Sequence, residues 1–274
     1  ALVTHGDIFD RPKGTYDSRL TWFYERVTPP AYKHADLVVA LSPHMQHRAL
    51  AGGARPATVA LLPNGIAPQE LNLDDHVSYA HLQANDALEI LFAGRLSVEK
   101  GVDVLLDAAA LLKREGVRFR LKIVGEGPER AALQARVAEQ GLGDCVAFIG
   151  RVPRERLGKL YQASHVVCVP SRSDPLPTVV LEAMAAGVPV VGSDAGGIPY
   201  MIEDGLTGIV CASESAQALA QALSRLAGHP EQARAMGNAG RVRALTEFSW
   251  ERCGEALRVA LFAACDRRKN GALA

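Results

Sequence analysis

Short, mostly apolar runs alternate with helix-like segments along the chain, and the alternation becomes regular from Leu88 onward. Runs rich in valine, isoleucine and leucine that are separated by helices are typical of a parallel sheet covered on both faces. The pattern therefore predicts an α/β architecture with a doubly wound sheet. The predicted strands are residues 38–41, 58–62, 88–93, 119–124, 146–149, 166–169 and 188–191.

Helical periodicity is clearest directly after the 88–93 strand, where apolar residues recur at the spacing of one helix face. The residues on this face are Val102, Leu105, Leu106, Ala109 and Leu112. Further helices are predicted at residues 128–140, 212–227, 232–245 and 250–265. Residues 66–87 lose the periodicity and carry several polar side chains, so we interpret them as a connection between two domains.

Composition narrows the classes of function. The chain has 274 residues, of which 48% are apolar, and this is ample for a buried core. Lys and Arg together number 30, as do Asp and Glu, and such a balance argues against non-specific nucleic-acid binding. The five cysteines form no Cys-x-x-Cys pair, which favours free thiols over disulfides or a zinc site. No apolar run approaches the ~18–20 residues of a membrane-spanning helix.

A first cluster of glycines and charged residues runs from Gly94 to Gly101, between a predicted strand and a predicted helix. Its two cations, Arg95 and Lys100, suit a diphosphate, because they offset its charge while the N–H groups of the helix start point towards it. The alternative is a pair of solvated surface cations. The two glycines and the position at a strand-to-helix turn favour the anion site.

A second cluster follows the predicted 166–169 strand and contains two carboxylates, Asp174 and Glu182. Glu182 lies on an otherwise apolar predicted helix, where a carboxylate is costly to bury unless it accepts hydrogen bonds. Sugar hydroxyls would satisfy it, because one carboxylate accepts from two neighbouring hydroxyl groups at once. Two alternatives stay open, in which Glu182 caps a neighbouring backbone or pairs with an arginine.

The two clusters together resemble the donor-site motifs of the family-four retaining glycosyltransferases. Further matching motifs lie at residues 63–66, 124–128, 193–199 and 204–208, so the resemblance covers roughly residues 36–250. It implies a GT-B fold, which has two Rossmann-like doubly wound domains. Residues 1–67 would be the C-terminal part of an acceptor-binding domain, 68–247 the donor-binding domain, and 248–274 a helix that crosses back to the first domain. We expect an N-terminally truncated first domain, because the chain opens in a strand-like segment.

The resemblance also implies roles for individual residues. Arg95 and Lys100 would hold the donor diphosphate and stabilise the leaving group, Glu182 would accept from the ribose, and Asp174 would face the transferred sugar. Asp174 departs from the family's usual glutamate and is one methylene shorter. His5 resembles a histidine of the acceptor-domain loop, with a purely structural histidine as the open alternative. Residues implied to take part in catalysis are Arg95, Lys100, Asp174 and His5. Residues implied to bind or border the donor are Gly94, Arg95, Lys100, Gly150, Arg151, Val152, Asp174, Leu176, Pro177, Thr178 and Glu182.

The implied function is retaining transfer of a sugar from a nucleotide diphosphate sugar to a glycan or lipid-linked acceptor, as in the making of cell-envelope polysaccharide. No metal or other cofactor and no nucleic-acid partner is expected, since positioning and fixed charges carry such a reaction. A cytoplasmic location follows, with peripheral association with the inner face of the membrane left open. The main alternative is a truncated, non-catalytic nucleotide-sugar-binding module. An epimerase of the same fold would need acidic and histidine catalytic groups that the sequence does not reveal.

Overall fold

The structure is a computed structural model that describes residues 2–4, 18–73 and 87–271. Within these ranges the chain forms two parallel sheets with helices packed against them, which confirms the α/β prediction. The strands are β1 (Leu2–Thr4), β2 (Val38–Ala40), β3 (Val59–Leu61), β4 (Leu88–Ala93), β5 (Phe119–Val124), β6 (Val146–Gly150), β7 (Val166–Val169), β8 (Val190–Ser193) and β9 (Gly208–Cys211). The helices are α1 (Ser18–His34), α2 (Pro43–Ala51), α3 (Val102–Arg114), α4 (Arg130–Glu139), α5 (Arg154–Gln162), α6 (Thr178–Ala185), α7 (Ile198–Met201), α8 (Ala216–Gly228), α9 (Pro230–Glu247) and α10 (Trp250–Gly271). Short 3₁₀ turns cover Pro56–Thr58, Pro68–Leu71 and Val98–Lys100.

The first sheet has the order β1-β2-β3, and all of its described strands are parallel. Ser42 directly follows this sheet's central strand, and its hydroxyl accepts the backbone N–H of Met45 at 3.4 Å. Pro43 occupies the first turn of α2, a position where its missing N–H is not needed. The cap and the proline together make α2 begin immediately after β2.

The second sheet has the order β6-β5-β4-β7-β8-β9, and every pair of neighbours is parallel. The chain winds outward from β4 to one edge and then returns to place β7 on the other side of β4. A doubly wound sheet opens a crevice beyond the carboxyl ends of its strands at this point of reversal. The two clusters of the sequence analysis follow β4 and β7, the two strands that flank the reversal.

Helices cover both faces of the second sheet, because consecutive residues of its central strand point to opposite sides. Ile90 and Phe92 belong to a core cluster with α3 and α8, whereas Leu91 and Ala93 belong to a second cluster with α6. All four side chains are buried. A strand that is buried on both faces explains why residues 90–93 form a continuous apolar run rather than an alternating one.

The last helix, α10, packs against the first sheet. Its Ala264 forms one apolar cluster with Leu37 and Val39. Just before α10, the carbonyl of Phe248 accepts the N–H of Ile66 at 2.7 Å. None of the helices in the described ranges is both long and apolar enough to cross a lipid bilayer.

Several element bounds depart from the sequence prediction for local reasons. The helix predicted over 212–227 begins only at Ala216, because the Ser215 hydroxyl accepts the N–H of Ala218 at 3.1 Å and caps the helix there. The pattern does not predict α1, since prolines such as Pro29 and Pro30 usually break a helix interior. It also misses the four-residue strand β9, which is too short to show a period. All five cysteines are free, as expected.

The turn that carries Lys100 depends on a glycine. Gly101 has a φ of 65°, and a Cβ at this position would overlap the carbonyl oxygen of Pro170. Gly116 has a φ of 75° but no atom within 4 Å of the equivalent position, so it serves as a matched control.

We expect Gly101→Ala to lower the free energy of unfolding by about 2–4 kcal/mol, because steric overlap adds to the strain of a left-handed alanine. Gly116→Ala carries only the backbone strain and should cost about 1 kcal/mol. Urea unfolding of both variants measures the difference. Equal losses would mean that the turn does not pack against the end of β7 as described.

Candidate functional site

A cavity of about 750 Å³ opens at the carboxyl ends of β4 and β7, where the sheet reverses. Sequence-predicted site residues that line it are Gly94, Arg95, Lys100, Arg151, Val152, Asp174, Leu176, Pro177, Thr178 and Glu182. Gly150 is not among the lining residues and lies beside the Glu126 carboxylate, at the edge of the cavity. His5 lies outside the described residues. The fold thus brings three segments that are distant in the chain into one cavity.

Asp174 and Lys100 face each other inside the cavity and form an ion pair. The Asp174 side chain is only 9% exposed, and the paired cation offsets the charge of this nearly buried carboxylate. The sequence analysis expected both Lys100 and Arg95 to be available to a diphosphate. In the structure Lys100 already has an anionic partner before any ligand arrives.

Arg95 differs from Lys100 in its surroundings. It is exposed, lines the cavity and has no ion-pair partner among the described residues. A guanidinium in this state keeps all its donors for a ligand, and it offers two parallel N–H groups to a phosphate.

Glu182 lies on α6 and is the second carboxylate of the cavity, with its side chain 10% exposed. One of its oxygens, Oε2, accepts the hydroxyl of Tyr161 at 2.8 Å. The other, Oε1, lies 3.7 Å from an Arg154 nitrogen that is 3.0 Å from Glu70. The alternative in which Glu182 pairs with an arginine is therefore realised in part, through Arg154. Tyr161 is a second partner, which was not predicted from the sequence. A carboxylate accepts about four hydrogen bonds, so acceptor capacity remains.

Burial, together with the neighbouring Glu182 carboxylate, raises the pKa of the Tyr161 hydroxyl well above its usual value of 10.0. The phenol therefore stays protonated at neutral pH and acts as a donor to the carboxylate.

The loop that carries Asp174 is supported from the next strand. The N–H of Gly197 donates to the Asp174 carbonyl at 2.8 Å, and a Cβ on Gly196 would overlap the same oxygen. Gly196 also has a φ of 58°, which few other residues tolerate. The glycine pair of the 193–199 motif thus acts through the backbone, by holding the loop of the carboxylate.

Arg172 ties the two cavity loops together, and the sequence analysis did not single it out. Its guanidinium donates to both carboxylate oxygens of Asp103, at 2.8 and 2.7 Å, and to the carbonyl of Val98 at 2.7 Å. Its backbone N–H donates to the Glu99 carbonyl at 2.8 Å. These bonds fix the 98–100 turn, and with it Lys100, against the segment after β7.

The chain is similar in sequence to a known protein family. A model of the family described as "Glycosyl transferases group 1" matches residues 78–243, which include both cavity loops. The chain belongs to this family. It is 30% identical over 227 residues to the amylovoran biosynthesis glycosyltransferase AmsK of Erwinia amylovora, covering 81% of this chain and 54% of that relative. The chain spans between 50% and 65% of the length of three such relatives.

Solved structures of glycosyltransferases share the fold. Sucrose-phosphate synthase from Thermosynechococcus elongatus superposes with a TM-score of 0.82 at 27% identity, over 99% of this chain and 68% of that one. Anabaena HepE, crystallised with UDP and glucose, superposes with a TM-score of 0.80 at 22% identity, over 95% of this chain and 70% of that one. At that identity the likeness to HepE concerns the fold. The prediction of a GT-B fold is confirmed for this group 1 family member.

The Arg172–Asp103 ion pair should make the free energy of unfolding depend on pH in the acid range. Burial raises the pKa of Asp103, but the hydrogen bonds and charge of Arg172 outweigh it and leave the pKa below its usual 3.8. The contact therefore stabilises the fold fully above about pH 4, and the contribution is lost as the pH falls through the lowered folded-state pKa.

We expect Asp103→Asn to lower the free energy of unfolding by about 0.5–1.5 kcal/mol at pH 7, a modest value because water screens a partly exposed pair. The loss should shrink towards pH 3. Urea titrations at both pH values test this, with Asp266→Asn on the exposed side of α10 as control. A loss that is independent of pH would contradict the ion pair.

Proposed function

We propose that the protein is a retaining glycosyltransferase that moves a sugar from a nucleotide diphosphate sugar to a glycan or lipid-linked acceptor. The observation that carries the proposal is the single cavity in which Arg95, Lys100, Asp174 and Glu182 meet at the reversal of the sheet. Such a donor has a charged diphosphate between two hydroxyl-rich rings. The cations of the cavity suit the diphosphate, and the carboxylates suit the hydroxyl groups of the rings. Family membership supports the same class of reaction.

In this proposal the diphosphate lies against Arg95 and Lys100. Arg95 is free to bind phosphate oxygens with two N–H groups. Lys100 keeps its pair with Asp174 and uses its remaining N–H groups, because an ammonium has three donors. As the bond between sugar and diphosphate breaks, the growing negative charge of the leaving group is held by these cations, which is the electrostatic part of catalysis.

The two carboxylates would then bind the two sugars of the donor. Glu182 accepts from the ribose hydroxyls with the lone pairs that Tyr161 leaves unused. Asp174, held by Lys100, accepts from hydroxyls of the transferred sugar. The acceptor hydroxyl attacks the face that the diphosphate leaves and passes its proton to the departing diphosphate oxygen, so the anomeric configuration is retained.

The nature of the acceptor rests on the relatives. AmsK is named for amylovoran biosynthesis, and this relative supports polysaccharide biosynthesis as the process, with the cell envelope as the proposed destination of the product. Work at the cytoplasmic face of the membrane, on a lipid-linked glycan, belongs to the same proposal. The alternative is a nucleotide-sugar-binding module without transfer, for which the same cavity would bind the donor.

An assay of sugar transfer distinguishes the glycosyltransferase from the binding module. Incubation of the whole protein with nucleotide sugars and a panel of lipid-linked and glycan acceptors should yield a glycoside with the donor's anomeric configuration, assigned by NMR. An inverted product would contradict retention, and donor binding without any product would favour the binding module.

Glu182→Gln tests the ribose contact, because the substitution keeps the shape and removes the charge. We expect calorimetry to show that affinity for UDP, GDP or ADP, whichever binds the parent best, falls by about 1–3 kcal/mol. The melting temperature should change little, and Glu231→Gln, on the exposed side of α9, should bind like the parent. Unchanged affinity of the Glu182 variant would remove Glu182 from the donor site.

Arg95→Ala tests the diphosphate contact. The variant should bind the same nucleoside diphosphate roughly 10-fold or more weakly, since a charge-assisted hydrogen bond to phosphate is lost. Binding of the nucleoside without phosphates should not change. Arg120→Ala removes a cation that pairs with Glu89 away from the cavity, and it serves as control. Equal weakening for nucleoside and diphosphate would contradict the assignment.

A further inference from the structure

Tyr161 is fully buried on α5, and it directs its only polar atom at the carboxylate of Glu182. The ring belongs to the apolar cluster under the cavity, together with Leu181 and Val180 of α6. A phenylalanine would fill this space equally well. Packing alone therefore does not account for the hydroxyl, and within the described part of the chain its hydrogen bond is the one to Oε2 of Glu182, at 2.8 Å.

Few other groups orient the Glu182 carboxylate. Among the described residues, Tyr161 supplies its one hydrogen bond, while the Arg154 nitrogen lies 3.7 Å from Oε1, beyond hydrogen-bond distance. The same nitrogen is closer to Glu70, at 3.0 Å. Arg154 is also half exposed, so water screens its pull on Glu182. Without the tyrosine, no group in the described ranges would lie within hydrogen-bond distance of the carboxylate to fix its orientation.

We propose that Tyr161 is a positioning residue of the donor site, which holds the Glu182 carboxylate so that its remaining lone pairs face the ribose hydroxyls of a nucleoside diphosphate. The inference rests on the proposed function of Glu182. Tyr161 lines the deep end of the cavity beside Glu182, but its part is to orient the carboxylate. The bond engages Oε2, and Oε1, which Arg154 approaches only to 3.7 Å, keeps lone pairs for a bound ligand.

The donor direction of this bond does not change at neutral pH, because burial and the adjacent carboxylate raise the pKa of the phenol. The carboxylate consequently always accepts from Tyr161, and the same lone pairs are always left for the ligand. A fixed acceptor binds two neighbouring hydroxyls without first losing rotational freedom, which is the advantage of a preorganised site.

The test compares Tyr161→Phe with the parent on two ligands. The ligands are the best-binding ribonucleoside diphosphate among UDP, GDP and ADP and its 2′,3′-dideoxy analogue, which lacks the hydroxyls. We expect the variant to bind the ribonucleotide roughly 3- to 10-fold more weakly, the effect of about one hydrogen bond, and the dideoxy analogue as the parent does. Tyr200→Phe changes a half-buried tyrosine outside the cavity and should leave both affinities unaltered.

A double-mutant cycle separates this inference from the proposed function. If Tyr161 acts through Glu182, Tyr161→Phe should add no further loss in a Glu182→Gln background. An effect of Glu182→Gln without an effect of Tyr161→Phe would overturn the inference and leave the proposed function standing. No effect of Glu182→Gln, or no nucleotide binding by the parent, would overturn both. Equal weakening for both ligands would show that Tyr161 only supports the fold.

A second measurement covers the case in which Tyr161→Phe does not fold. 3-Fluorotyrosine placed at residue 161 keeps the hydroxyl, and its fluorine resonance reports on the bond to Glu182. The resonance should shift on addition of the ribonucleotide and stay in place with the dideoxy analogue. The same shift with both ligands, or none with either, would contradict the inference.

Discussion

The pairing of β4 with β7 determines where four charged groups of the cavity lie, namely Arg95, Lys100, Asp174 and Glu182. Ile90 pairs with Val166 and Leu91 with Val167, so the carboxyl ends of the two strands lie side by side. The loops that follow these strands then meet, although Lys100 and its partner are 74 residues apart in the chain. A parallel sheet that reverses its order at this pair leaves the space above it free of crossing connections. The cavity is thus a consequence of topology, and the side chains determine only what it binds.

The two buried carboxylates of the cavity are stabilised in different ways, and they therefore differ in strength as hydrogen-bond acceptors. Asp174 is held by a cation, so much of its charge is offset before a ligand enters. Glu182 is held mainly by a neutral phenol, which satisfies one lone pair and leaves the charge in place. Charged acceptors form the stronger hydrogen bonds to hydroxyls. Glu182 is therefore the stronger acceptor of the pair, whereas Asp174 also serves to fix the position of Lys100.

Much of the second sheet could be predicted from the sequence, since a strand buried on both faces leaves a continuous apolar run such as residues 90–93. The loops with Arg95 and Asp174 could be placed at one edge because they follow such strands. Tyr161 and Arg172 could not be found in this way. Each acts through a partner that is distant in the chain, 21 residues away for Tyr161 and 69 for Arg172. The spacing of hydrophobic residues does not show which side chains pair. The one local signal for Tyr161 is a tyrosine on an apolar helix face, which indicates a buried hydroxyl in need of a partner. This signal does not identify Glu182 as the hydrogen-bond acceptor.

Helix α5 connects the segment between the two sheets to the cavity. The helix packs on the Pro68–Leu71 turn, and a Cβ on Gly158 would overlap the carbonyl of Leu71. From the same helix, Arg154 contacts Glu70 on one side and approaches Glu182 on the other, while Tyr161 binds Glu182 directly. Because Gly158 lets α5 pack directly on the turn, a shift of the turn would displace the helix and, with it, the Tyr161 hydroxyl that binds Glu182. The packing of the connecting segment and the geometry of the candidate ribose acceptor are therefore set by one helix.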